Sequence, residues 1–347
     1  MILAPSIHWG ENPNYGFANG RVRALETLLF DRTQYERLIR AKDTQELKTL
    51  LLETRYGQLA TLEPNTNLSQ IFTAAAQENI LFCITYAADL WLKALIQTTV
   101  DIFNLKIILK SRYQEKNPSA DDLLPNGRWD EKTLNTIIAG DPKKFPKDQR
   151  HLFLAHRLVN EARQKAEQRH DPAIIDLLLD KLAQELALMW GTGNDYAEGY
   201  YRLYADITNL KMLIRLRFLN EDEQTFQIAF LPGGKLSCSQ LLRIIRIKNL
   251  EPSALKELPG GELFFSLFDA GIRALNNRES FLPMEKTARV LLLDYINRAR
   301  YVALGSEPLL RFFFLRENEL TNLRQLYAAK IAGWGVRECQ EVVVYGF

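Results

Sequence analysis

Three short segments carry the residues best placed to do chemistry. Asp101-Ile-Phe-Asn104, Asp206-Ile-Thr-Asn209 and Glu319-Leu-Thr-Asn322 each set an acid three residues before an asparagine. A base follows eight residues after each asparagine: Arg112, Arg217 and Lys330. An apolar residue stands four after it: Ile108, Leu213 and Leu326. At about 100° per residue on an α-helix, these positions share one narrow stripe. A carboxylate, a carboxamide and a cation on one stripe could hold a polar ligand at three separate places. They could instead satisfy backbone groups inside a helix-packing interface, the more common fate of buried polar side chains. Asn and Asp are poor helix formers, so propensity alone does not place them on three helices. The nine residues are therefore expected to be a structural signature.

No stronger chemistry stands elsewhere in the chain. There is no GxxxxGK[ST] phosphate loop and no GxGxxG after a strand. His151 and His156 are five apart, which is not the i, i+4 pair of a helical zinc site. Gly191-Thr-Gly193 and Gly260-Gly261 read as turns. Glu26 beside Arg21 and Arg23 reads as an ion-pair face. No nucleophile has a base in sequence reach, so no catalytic residue, cofactor or metal is expected.

The elements that position the stripes recur with them. Leu124-Pro-Asn-Gly-Arg128 follows the first and Leu231-Pro-Gly-Gly-Lys235 the second, at nearly the same offset. Pro-x-Gly is turn chemistry, so both helices end, loop and restart alike. Each copy also has a short apolar pair, Leu38-Ile39, Ile137-Ile138 or Ile244-Ile245, then a polar loop and another helix. A period above about 100 residues is too long for a solenoid. It predicts three related helical subdomains, 1–118, 119–228 and 229–347. Helices are expected at Tyr35–Ala41, Thr44–Thr54, Asn67–Thr98, Gln149–His170, Tyr196–Asn220 and Glu317–Ala332, among others. Gly57 is expected as a helix C-cap, and Asp171-Pro172 as N-cap and first helical position. Only Val342-Val-Val-Tyr345 reads as a strand.

The composition bounds the class. With 47% hydrophobic and 25% charged residues, the 347-residue chain reads as an ordinary globular protein with ample core. A net charge of +2 gives no call for nucleic acid. Three scattered cysteines, Cys83, Cys238 and Cys339, form no disulfide framework and fit a reducing compartment. The first twenty residues lack a basic residue and a long apolar run, so no signal peptide is expected. The most apolar region, Ile80–Leu109, is interrupted by Asp89, Lys93, Asp101 and Lys106, so no transmembrane helix is expected either.

The signature repeats, the opening Tyr15-Gly-Phe-Ala-Asn-Gly-Arg-Val-Arg23 and Thr54-Arg-Tyr-Gly57 together resemble the C subunit of the archaeal and bacterial V-type (A-type) ATP synthase, a relative of the eukaryotic V-ATPase d subunit. So does the closing helix Glu319-Leu-Thr-Asn-Leu-Arg-Gln-Leu-Tyr-Ala-Ala-Lys330 with its Val-rich tail. The resemblance covers the whole chain; the N-terminal lead and a total length slightly beyond the usual are its departures from the family. It implies an all-α funnel of three pseudo-threefold subdomains without an active site. It also implies a rotor adaptor on the cytoplasmic side of the membrane, between the rotor ring of proteolipid subunits and the D and F subunits of the central stalk. Membrane contact would come only through the complex. Arg21, Arg23, Lys143, Lys144 and Lys235 are the residues expected at a partner-binding rim. A helical scaffold unrelated to ATPases and an enzyme with a dispersed site are the other readings of the same chain.

Overall fold

In chain order the helices are α1 (Gly16–Glu26), α2 (Arg32–Ile39), α3 (Thr44–Leu52), α4 (Gly57–Ala60), α5 (Leu68–Tyr86), α6 (Leu90–Tyr113), α7 (Glu131–Ala139) and α8 (Arg150–Arg169). Then follow α9 (Ala173–Gly191), α10 (Asp195–Leu219), α11 (Glu223–Ala229), α12 (Cys238–Ile245), α13 (Phe265–Asn277), α14 (Leu282–Ile296), α15 (Glu307–Ile331) and α16 (Val336–Val342). The computed structural model describes residues 12–60, 67–116, 118, 119 and 122–346. Among them there is no strand, and the chain is all-α.

Short polar side chains start many of these helices. Asp31, Asn67 and Ser237 each accept a hydrogen bond from the N–H three residues on, and the cap's own N–H donates to the glutamine side chain there. These reciprocal caps satisfy two of the donors that a helix N-terminus leaves open. Asp130, Asn194 and Asp222 cap α7, α10 and α11 through their side chains. At the other end, His170 and Asn220 adopt left-handed conformations that stop α8 and α10.

The described chain divides into two compact units. One is built from both chain ends, residues 1–90 and 280–347. In it α5 packs along α15, and Tyr35, Ile39, Leu47, Leu51, Tyr56, Ile71 and Phe72 close over Leu320, Leu323 and Leu326. The other unit is the contiguous middle, 91–279. There α8 packs on α9, and Leu105, Leu134, Ile137, Leu158, Leu178, Leu182 and Leu186 share one core.

Several local expectations need correction. The helix expected over Asn67–Thr98 is two helices, broken at Ala87, whose backbone is extended. No Gly or Pro marks the break; the Tyr15 hydroxyl donates to Asp89 Oδ2 at 2.9 Å and accepts from the Asp89 N–H at 3.2 Å. The signature stripe thus lies on α6, and the third copy lies on a helix beginning at Glu307 rather than Glu317. Gly57 starts α4 instead of capping a helix, and a Cβ there would lie 2.1 Å from the Leu52 carbonyl oxygen. Asp171 caps by accepting from the Ala173 N–H at 2.9 Å, with Pro172 as the residue before the helix rather than its first. Of the Val-rich tail, Val342 ends α16 and residues 343–345 lie outside any helix; the Val344 backbone pairs with the Asn318 and Asn322 side chains of α15 instead of another strand.

Candidate functional site

The signature residues build the same device three times. Asp101, Asn104, Asp206, Asn209, Glu319 and Asn322 are all buried. Each asparagine pairs its carboxamide with the backbone of one residue, as two peptide groups pair in a ladder. Asn104 Nδ2 donates to the Leu124 carbonyl at 2.9 Å, and the Leu124 N–H donates to Asn104 Oδ1 at 2.8 Å. Asn209 and Leu231 exchange the same two bonds, both at 2.8 Å. Asn322 and Val344 exchange them at 2.9 and 3.0 Å. In the third copy Asn322 Oδ1 also accepts from Arg289 Nη2 at 2.6 Å.

The acid then receives the N–H just before the cap of a short helix. Trp129, which precedes the α7 cap Asp130, donates to Asp101 Oδ1 at 3.0 Å. Leu236, which precedes the α12 cap Ser237, donates to Asp206 Oδ1 at 2.9 Å, and Lys235 N–H donates to Oδ2 at the same distance. Phe30, which precedes the α2 cap Asp31, donates to Glu319 Oε2 at 2.6 Å. The distal base holds the far end of that helix. Lys330 Nζ donates to the carbonyl of Ile39, the last residue of α2, at 2.9 Å. Arg217 Nη1 donates to the carbonyl of Ile245, the last residue of α12, at 2.9 Å. Arg112 departs from this and reaches the Asn135 side chain in mid-α7. Helices of eight or nine residues are marginal alone; one long helix holds α2 and α12 at both ends, and α7 at its start and middle.

The turn echo has a physical cause. The leucine of each Leu-Pro-x-Gly offers its backbone to the asparagine. The glycine leaves room for the acid: a Cβ on Gly127 would lie 2.5 Å from Asp101 Oδ1, and one on Gly234 2.1 Å from Asp206 Oδ1. Burial pushes the Asp101 carboxyl up to about 7 and raises Asp206 as well, against the lowering pull of the backbone N–H groups. Glu319 has further partners, the Arg55 guanidinium and the Tyr56 hydroxyl, the latter at 2.6 Å.

The arrangement is mechanical. Every signature side chain is engaged with protein, and no group of three or more His, Cys, Asp or Glu able to hold a metal exists among the described residues. The three sites are a set of ties. The model of the family described as "ATP synthase (C/AC39) subunit" matches residues 18–338. The chain belongs to that family. A curated relative, the C subunit of the A-type ATP synthase of Haloquadratum walsbyi, is 22% identical over 347 aligned residues covering 93% of this chain and 96% of its own. The corresponding C subunit of the A-type ATP synthase of Pyrococcus abyssi is 22% identical over 73% of this chain and 70% of its own.

In this C/AC39 protein the opening motif is a seam. Asn19 Nδ2 donates to the carbonyls of Ala303 and Gly305 at 3.1 and 3.2 Å, and Arg23 Nη2 to those of Arg300 and Val302 at 2.7 and 2.9 Å. Glu26 accepts from both Arg23 and the buried Arg311. So α1 is stitched to residues 300–305, a role that the sequence did not disclose. Of the residues expected at a rim, Arg21, Lys143 and Lys235 are exposed or half-buried at the surface, and Arg21 lies 5.9 Å from the centre of the Tyr86 ring. Arg23 is half-buried in the seam. The Lys144 side chain and His8 lie outside the described residues. No described helix is long and apolar enough to cross a membrane.

Proposed function

We propose that this chain is the non-catalytic rotor adaptor of an A/V-type ATP synthase. It seats the central stalk, built of the D and F subunits, on the membrane ring of proteolipid subunits, on the cytoplasmic side, and passes torque between them. The observation that carries the reading is the family match across nearly the whole chain. The three ties suit the role. A coupling that must rotate without yielding needs its short elements pinned; the long helices pin α2 and α12 at both ends and α7 at its start and middle. In this reading residues 1–118, 119–228 and 229–347 are three lobes about a pseudo-threefold axis, together forming a funnel. Arg21, Arg23, Lys143, Lys144 and Lys235 contribute to its partner-facing rim.

The test is recovery of partners. Tagged protein drawn from solubilised membranes should bring down the ring proteolipid and both stalk subunits, identified by mass spectrometry. Recovery of none of them refutes the reading. Binding to a reconstituted ring should weaken from low to molar salt, because polar loops meet a polar face. Charge reversal at Arg21 and Arg23 that leaves ring and stalk binding intact removes those two from the rim.

A further inference from the structure

The turn that closes the first tie carries a reactive pair. Asn-Gly stands twice in the chain, at Asn19-Gly20 and at Asn126-Gly127. Glycine has no Cβ to shield its amide, so the nitrogen that follows such an asparagine reaches the side-chain carbonyl carbon readily. Asparagine is thermolabile through this kind of chemistry.

The fold treats the two pairs in opposite ways. Asn19-Gly20 lies inside α1. Asn19 is 4% exposed, and its Nδ2 is held by the carbonyls of Ala303 and Gly305. Asn126 is exposed, in the connection between α6 and α7. Gln97 Nε2 donates to the carbonyls of Asn126 and Gly127, both at 3.3 Å, and so engages neither reacting group.

The tie itself imposes the second pair. Residue 127 has to be glycine, since a Cβ there would lie 2.5 Å from Asp101 Oδ1. Residue 126 has to take a positive φ, +70° at Asn126 against +91° at Gly233 in the second copy. After glycine, asparagine is among the residues that tolerate that conformation best. The second copy meets both demands with Gly233-Gly234, and the first meets them with Asn126-Gly127.

We propose that Asn126 is a deamidation site, and that its isoaspartyl product undoes the first tie. Hydroxide takes the Gly127 amide proton, and the nitrogen attacks Asn126 Cγ. The Cγ–Nδ2 bond breaks, and Nδ2 leaves as ammonia with a proton from water, which restores the hydroxide. Water then opens the five-membered imide at one of its two carbonyls. Opening at the side-chain carbonyl gives aspartate. Opening at the main-chain carbonyl leaves the chain running through the side-chain carbon, one methylene longer. No oxidant or reductant is needed. Leu124 and Trp129, on either side of the pair, are bonded to Asn104 and Asp101. An added backbone atom between them costs one of those bonds. The proposal is independent of the rotary reading.

The experiment ages the full chain at mildly alkaline pH, folded and in urea, and follows both pairs by tryptic digestion and mass spectrometry. Chromatography separates aspartyl from isoaspartyl peptides. In urea both pairs should react. In the folded chain Asn126 should react at least about tenfold faster than Asn19, which needs α1 to open first. The aged isoaspartyl protein should unfold at lower urea than the fresh protein. Asn126→Gly, which repeats the turn of the second copy, should age without that loss. Asn126→Asp, which carries the charge without the added methylene, should keep the fresh midpoint. Asn126 intact in the folded chain while both pairs react in urea overturns the proposal. So does an isoaspartyl fraction with the fresh midpoint, or an equal loss in aged Asn126→Gly.

Discussion

Replacing Asn209 with leucine tests the tie at an enclosed copy. Asn209 is 1% exposed, and Leu231, whose N–H and carbonyl it pairs at 2.8 Å each, is 2% exposed. Leucine keeps asparagine's branching and heavy-atom count, though its methyls are bulkier and crowd the site somewhat, and both backbone groups lose their partner where water cannot reach. Each orphaned buried group costs about 1–3 kcal/mol, which sums to about 2–6 kcal/mol for the pair. The same change at Asn104 should cost less, about 1–2 kcal/mol, because Leu124 is only half-buried and water can replace the carboxamide. Urea unfolding followed by circular dichroism gives both values from the shift in midpoint at unchanged slope. Amide exchange adds the local readout: the Leu231 N–H should be slow in the parent and fast in Asn209→Leu. A cost below about 0.5 kcal/mol at Asn209, or a larger cost at Asn104 than at Asn209, would refute the tie as a stabilising device.

Further outcomes follow from the same geometry. Gly234→Ala should destabilise by about 2–3 kcal/mol, since its Cβ would lie 2.1 Å from Asp206 Oδ1, whereas Gly20→Ala in α1, with nothing within 4 Å, should stabilise by about 0.5–1 kcal/mol; equal thermal shifts for the two would contradict this. Asp101 titrates near 7 when folded against an ordinary 3.8, so the native state holds the extra proton in that window. Its contribution is therefore fully present below about 3.8 and lost as pH rises through about 7. Asp101→Asn should flatten the slope of stability with pH between those values, and an unchanged slope in urea midpoints would rule it out. Lys330→Met should cost about 1–2 kcal/mol by orphaning the Ile39 carbonyl, read as faster amide exchange within α2.

The stripe of acid, asparagine and base was legible because helical spacing turns i, i+3 and i+11 into neighbours on one face. The Leu-Pro-x-Gly echo was legible because turns need those residue types. The partners of the stripe were not. The amide that reaches Glu319 belongs to Phe30, 289 residues away, and no local pattern announces such a pair. Nor could spacing show that the acid caps the approach to a short helix while the base closes its end, since the helix holds those ends by backbone groups that every residue has. The break at Ala87 was missed because a tertiary contact from Tyr15, rather than a helix-breaking residue, holds it.

The third tie joins α2, near the start of the chain, to α15, near its end. A nascent chain cannot make that bond until the ribosome has passed Glu319. At about 5–20 residues per second, the 289 residues between Phe30 and Glu319 take about 15–60 s to synthesise. Through that interval α2 and α3 carry Tyr35, Ile39, Leu47 and Leu51 with nothing of α15 to bury them. The middle unit, by contrast, has both of its ties complete once residue 248 has emerged. Synthesis order thus leaves the N-terminal helices waiting longest, and they are the segment that a holding chaperone would have to shelter.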